Sequence, residues 1–62
     1  MNHNRKRIKT MHNEQGVEAE VFHDLNNDMF YAVCSDGDFT RHFLTLNECE
    51  ERLLQWGFVN TE

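Results

Sequence analysis

No apolar run in this chain approaches the ~20 residues needed to cross a bilayer, so the sequence predicts a soluble protein. No Cys-x-x-Cys pair occurs, and the two cysteines, Cys34 and Cys49, have no apolar leader before them. That spacing gives neither a secreted disulfide framework nor a paired-ligand zinc site, and it predicts a reducing, cytoplasmic setting. A catalytic signature is missing as well. The nearest thing to a metal motif is "HDLNNDMF", where Asp24, Asn26 and Asp28 alternate as they would at the start of a calcium loop. An EF-hand needs glycine at the sixth position and a bidentate glutamate at the twelfth, and these are Met29 and Ser35. The stretch therefore reads as a turn.

With 62 residues the chain has room for one small core. A domain of this size buries only about 60% of the surface its unfolded chain exposes, which favours stabilisation by a partner copy. A homodimer is the expectation. Charge is unevenly spread: residues 1–9 hold Arg5, Lys6, Arg7 and Lys9 with no acid, whereas residues 10–62 hold Arg41 and Arg52 against eleven acids. The expected division is a flexible basic arm over 1–9 and an acidic domain over 10–62. Such an arm has two readings, a solvated terminus or a grip on nucleic-acid phosphate through Arg5, Lys6, Arg7 and Lys9. Alternation from Arg7 to His12 leaves room for a short leading strand that returns through "NEQG".

From Val17 the periodicity is that of strands. "VEAEVFHD" alternates apolar and polar residues, and "MFYAVCS" is rich in aromatic and β-branched side chains. "LNND" supplies a turn between them, with asparagines that tolerate positive φ. "SDGD" supplies a second turn through Asp36-Gly37, leading into "FTRHFL". Thr45 and Glu48 then stand as N-cap and N3 of a helix beginning at Leu46. Leu46, Cys49, Leu53 and Trp56 form its apolar stripe, Gly57 its left-handed stop, and Phe58 folds back on the last turn. The fold expected is α+β: a three-stranded antiparallel meander, with room for a fourth strand, followed by one helix packed on a single sheet face.

Hairpin turns fix register. With Asn26-Asn27 as one loop, His23 pairs with Phe30, Phe22 with Tyr31, Val21 with Ala32 and Ala19 with Cys34. With Asp36-Gly37 as the other, Phe30 pairs with Phe43 and Cys34 with Phe39. Ala19, Val21, Phe30, Ala32, Cys34, Phe39 and Phe43 then share the core face. A three-residue loop with a bulge at Gly37 would instead move Phe39 and Phe43 to the other side. That other side carries Phe22, Met29, Tyr31, Val33 and Leu44, bordered by Glu18, Glu20, Asp24 and His42. One helix cannot cover both faces, so either a further segment folds over this set or a partner does.

Catalysis is not expected. Cys34 falls mid-strand on the core face and Cys49 on the helix stripe, where free cysteine serves as a small hydrophobe. His23, Cys34, His42 and Cys49 have the chemistry of a zinc set, but their spacing is scattered and the register puts His42 across the sheet from His23 and Cys34. No metal or other cofactor is expected.

Three strands followed by "FLTLNECEERLLQWGF" resemble the arm-type DNA-binding domains of tyrosine integrases, over roughly residues 17–58. The resemblance implies a three-stranded sheet that reads DNA, backed by a capped helix. It also implies lysines and arginines on the sheet, where this chain has Glu18, Glu20, Asp24, Asp36 and Asp38. DNA binding is therefore not carried over. The sequence points to a small acidic, non-enzymatic adaptor, regulator or inhibitor that binds a protein through its sheet face or edge. The candidate contact residues are Glu18, Glu20, Phe22, Met29, Tyr31 and Val33, and an aromatic centre with an acidic border suits a basic partner. The alternative is a nucleic-acid accessory protein that uses the arm.

Overall fold

Basic and acidic strands lie side by side in this protein. The computed structural model describes residues 4–61. In chain order the elements are β1 (Arg5–His12), β2 (Glu18–Asp24), β3 (Met29–Cys34), α1 (Leu46–Gln55) and β4 (Val59–Asn60). The strands form one antiparallel sheet in the order β3-β2-β1-β4, with α1 against one face. The architecture is the expected α+β meander with a C-terminal helix.

β1 runs from Arg5 to His12, across residue 9, where the charge distribution divides arm from domain. The physical reason is β2, "EAEVFHD", whose acids and aromatics give the cations of β1 local partners. Arg7 pairs with Glu20 at 2.9 Å, and the Arg5 guanidinium carbon lies 4.2 Å from the Phe22 ring centroid. Residues 1–3 of the expected arm lie outside the described residues. The strand is bulged between Arg7 and Lys9, which turns Lys9 to the helix side, where its Nζ meets Glu50 of α1 at 2.7 Å.

The β2–β3 register is the one the turn predicts: His23 faces Phe30, Phe22 faces Tyr31, Val21 faces Ala32 and Ala19 faces Cys34. The loop between these strands differs in detail. Asp24 still faces Met29, so residues 25–28 form the turn, and the positive φ falls on Asp28, at 56°, rather than on an asparagine. Asp24 organises the loop: its carboxylate accepts from the backbone N–H of Asn26 at 3.0 Å and from the Asn27 side chain at 3.1 Å. These bonds occupy the oxygens that a calcium loop would have aimed at an ion.

The segment after β3 departs further. "FTRHFL" is not a continuous strand; it touches β3 at two bridges, Phe30 with Phe43 and Val33 with Phe39. Phe43 is where the register puts it, whereas Phe39 faces Val33 rather than Cys34. Phe39 faces Val33 because the turn closes as the bulged three-residue loop, with Gly37 at φ 101° and the Cys34 N–H on the Asp38 carbonyl at 2.7 Å, rather than as a two-residue Asp36-Gly37 loop; one extra residue is then taken up before Phe43, beside buried Thr40. The Thr40 hydroxyl accepts from the Ala32 N–H at 2.9 Å and donates to the Arg41 carbonyl at 2.8 Å. With Thr40 turned inward, Phe39 is turned out, 71% exposed, and leaves the core to which it was assigned.

The helix begins at Leu46 behind Thr45, whose hydroxyl accepts from the Glu48 N–H at 3.2 Å. Only this half of the expected reciprocal cap forms among the described residues. At the other end Gly57 takes φ 94°, its N–H reaches the Leu54 carbonyl, and the Phe58 N–H reaches that of Leu53 at 2.9 Å. This Schellman geometry buries Phe58 and leaves Trp56, expected on the apolar stripe, as an exposed cap residue. It also starts the chain back toward the sheet, where β4 joins the outer edge of β1 beside Met11 and His12. The core combines Met11, Ala19, Val21, Ala32, Cys34 and Phe43 with Cys49, Leu53 and Phe58. No helix among the described residues is long and apolar enough to span a membrane.

Candidate functional site

The face of the sheet turned away from α1 carries the candidate residues. Strand alternation sends Glu18, Glu20, Phe22 and Asp24 of β2 to the side opposite Ala19 and Val21, and the pairing of β3 sets Met29, Tyr31 and Val33 beside them. All six expected contact residues thus share one surface. A row of stacked side chains crosses it. Arg5 covers Phe22, Phe22 and Tyr31 stack with centroids 5.6 Å apart, and Tyr31 stacks on His42 at 4.4 Å. Arg5 also donates to the Tyr31 hydroxyl at 3.1 Å. Phe22 is left only 9% exposed, so the centre expected to be open to a partner is already roofed by β1.

What remains open lies to the side of that row, along the 39–44 segment. Phe39 and Leu44 are 71% and 72% exposed, with half-buried Met29, Tyr31 and Val33 next to them in the sheet. Sequence reasoning placed Leu44 on this face but assigned Phe39 to the core; the bulged alternative register was the signal for it. Acids border the Phe39 end. Asp36 and Asp38 are exposed in the turn before it, and Glu18, Glu20, Val33, Cys34 and Ser35 line a recess of about 240 Å³ beside it. Ser35 fixes the recess by donating to the Glu18 carbonyl at 2.7 Å while its hydroxyl accepts from the Glu18 N–H. Of the two glutamates, Glu20 is paired with Arg7, and Glu18 has no ion-pair partner among the described residues.

At the Leu44 end, Asp24 lies 3.9 Å from His42. Burial acts to raise the Asp24 pKa, but the bonds from the Asn27 side chain and the Asn26 and Asn27 N–H groups, with the charge of His42, outweigh it. The carboxyl is held below its ordinary value of 3.8.

The cations proposed for nucleic acid are spent within the chain for the most part. Arg5 is on Phe22 and Tyr31, Arg7 on Glu20 and Lys9 on Glu50; Lys6, opposite His23, has no acidic partner among the described residues. The cysteines are buried. Burial, with Asp36 and Asp38 nearby, raises Cys34, and burial pushes Cys49 up to about 11 against the opposing hydrogen bond of Thr40. Neither thiol has the lowered pKa a nucleophile needs. Among the described residues no three His, Cys, Asp or Glu side chains converge on a metal-sized site. His23 bonds Asp28 at 2.8 Å and stacks on Phe30, while His42 stacks on Tyr31 across the sheet.

No family model matches the chain, no curated protein matches it and no solved structure matches its fold. The integrase-arm resemblance is corrected by the sheet itself: its third full strand is β1, which precedes residue 17, and "FTRHFL" supplies only bridges.

Proposed function

We propose that this chain is a small non-enzymatic protein-binding module, an adaptor, regulator or inhibitor, that engages a basic partner through the sheet face opposite α1. The observation that carries the reading is the pair Phe39 and Leu44. Both are large apolar side chains, more than two-thirds exposed, on one short segment beside Met29, Tyr31 and Val33. A small soluble domain that leaves such a strip open marks a contact surface, because the apolar area gains most when a partner removes it from water. The acidic recess at Glu18 and Glu20, with Asp36 and Asp38 beside it, supplies the polarity: a lysine or arginine of the partner fits there and an acidic competitor is repelled.

The stacked row gives the surface its rigidity. Tyr31 is held between Phe22 and His42 and tied to Arg5, so a partner meets an aromatic whose rotamer is already fixed, which lowers the ordering cost of binding. The arm-based nucleic-acid reading finds less support, since Arg5, Arg7 and Lys9 already have partners inside the fold.

The test is kinetic, on the partner captured by the immobilised chain. Tyr31→Ala should speed dissociation, and Glu18→Gln with Glu20→Gln should mainly slow association, with the fold retained by circular dichroism in both. Normal binding by both variants, or a captured ligand that proves to be nucleic acid, would contradict the assignment. A mass that doubles in solution and returns to monomer in Phe39→Ser would show instead that a second copy fills the face.

A further inference from the structure

β1 is longer than the strand that covers it. On its inner side it pairs with β2 from Arg5 to His12, but on its outer side β4 reaches only Met11 and His12, with one further bond from the Thr61 N–H to the Thr10 carbonyl. Among the described residues nothing pairs with the outer edge of Arg5 to Lys9. The other edge of the sheet is treated differently, since β3 is hydrogen-bonded by the Asp38–Phe43 segment. Among the described residues one column of the sheet is thus half filled and half open, over five residues or roughly 17 Å.

An open edge of this length is a template for another strand. Its chemistry decides which. The run along the edge is Arg5-Lys6-Arg7-Ile8-Lys9, exposed from Arg5 to Ile8 and half-buried at Lys9, with a bulge between Arg7 and Lys9. A second copy added antiparallel about Arg7 would set Arg5 against Lys9 and Arg7 against Arg7, and like charges directly opposite are destabilising. A parallel copy would set like on like throughout. A strand with acidic side chains would instead complement both sides of the pleat, meeting Arg7 on the open face and Lys6 on the helix side. Lys6 has no acidic partner within the described fold, and the Arg7 side chain is 61% exposed despite its bond to Glu20. Both are therefore available outward.

We infer that the outer edge of β1 binds a short acidic peptide in extended conformation, which adds as a strand in line with β4 and antiparallel or parallel to Arg5–Lys9. This rests on the reading of the chain as a binding module but uses a different surface from the Phe39–Leu44 strip and the opposite charge.

The probe is a capped alternating Val-Glu peptide of strand length, with the Val-Lys peptide as its counterpart. The full chain, titrated with each, is followed by amide shifts and hydrogen exchange. The expected result is slowed exchange at amides within Arg5–Lys9 with the Val-Glu peptide, at least about tenfold tighter than with the Val-Lys peptide. Lys6→Glu should narrow that preference, and Ile8→Pro should abolish binding by blocking the edge. A Phe39→Ser, Leu44→Ser chain should bind the peptide normally, so failure of the face assignment leaves this result intact. Equal affinity for the two peptides, no binding of either, or protection confined to residues near Phe39 would overturn the inference; Lys6→Glu, which leaves the backbone donors in place, keeps the test valid where Ile8→Pro fails to fold.

Discussion

The Arg5 guanidinium lies 4.2 Å over the Phe22 ring and donates to the Tyr31 hydroxyl beyond it, so one cation from the first strand closes the aromatic centre of the sheet's free face. That contact converts what would be a broad exposed patch into a roofed centre and an open flank. It also ties the charge of β1 to the stability of the fold, and its loss has a measurable cost.

Arg5→Ala should therefore lower stability by about 0.5–1 kcal/mol for the stacking contact alone, the range for a cation over a ring near the surface. Arg5→Lys should recover only part of this, since a lysine lacks the planar group that both stacks on Phe22 and reaches Tyr31. Denaturant midpoints of the three chains check the order. Equal midpoints would remove Arg5 from the account of the face.

Thr40 sits where the segment takes up the extra residue that keeps Phe43 opposite Phe30. Thr40→Val keeps the shape and removes the acceptor for the Ala32 N–H, so it should cost about 1–3 kcal/mol through an unpaired backbone donor in the core. Hydrogen exchange at Ala32 should quicken in step. A neutral substitution would mean that the bulge holds without its hydroxyl.

The turn carboxylate sets an acid limb. Asp24 is held below its ordinary value of 3.8 in the folded chain, so the unfolded chain takes up the proton first. Its contribution is present in full above that value and is lost as pH falls through the lower folded one. Chemical denaturation across this window should show Asp24→Asn destabilised at neutral pH and converging with the unsubstituted chain as the pH drops. A constant gap at all pH values would contradict the assignment.

Cys34 and Cys49 are buried, with the thiolate disfavoured in both. Alkylation by a thiol reagent at neutral pH should be slow in the native chain and track unfolding as denaturant is added. Rapid labelling of either thiol without unfolding would show an open route into the core.

Much of this fold can be read from local chemistry. The His23–Phe30 register, the Thr45 cap and the Gly57 stop each depend on residues a few positions apart, and each is in place. The features that escape such reading depend on distant partners. Arg5–Lys9 looks like a free arm until "EAEVFHD" is laid beside it, where Arg7 pairs with Glu20 and Arg5 lies over Phe22. Phe39 and Phe43 look like neighbours on one face by alternation until Thr40 is found bonded to Ala32 across the sheet, beyond which the segment takes up one extra residue and the two part to opposite faces. The two-residue β4 has no periodicity to detect; it exists because the Phe58 turn returns the chain to the edge of β1. The candidate site inherits the same division. Tyr31, Met29 and Val33 fall on the free face by register, whereas Phe39 is placed there by the three-residue closure at Gly37, one of the two the turn sequence allows.

The Phe39–Leu44 flank, proposed as the contact surface, is tested by a quantitative comparison of proteins retained by the immobilised chain and by its Phe39→Ser, Leu44→Ser variant. Both side chains are exposed, so the variant should unfold at the same denaturant concentration as the parent within the ±0.5 kcal/mol usual for surface changes. A basic partner enriched on the parent should be lost from the variant at least about tenfold, the scale expected when anchors of more than 1 kcal/mol each are removed. Retention of every partner by an equally stable variant would contradict the proposal.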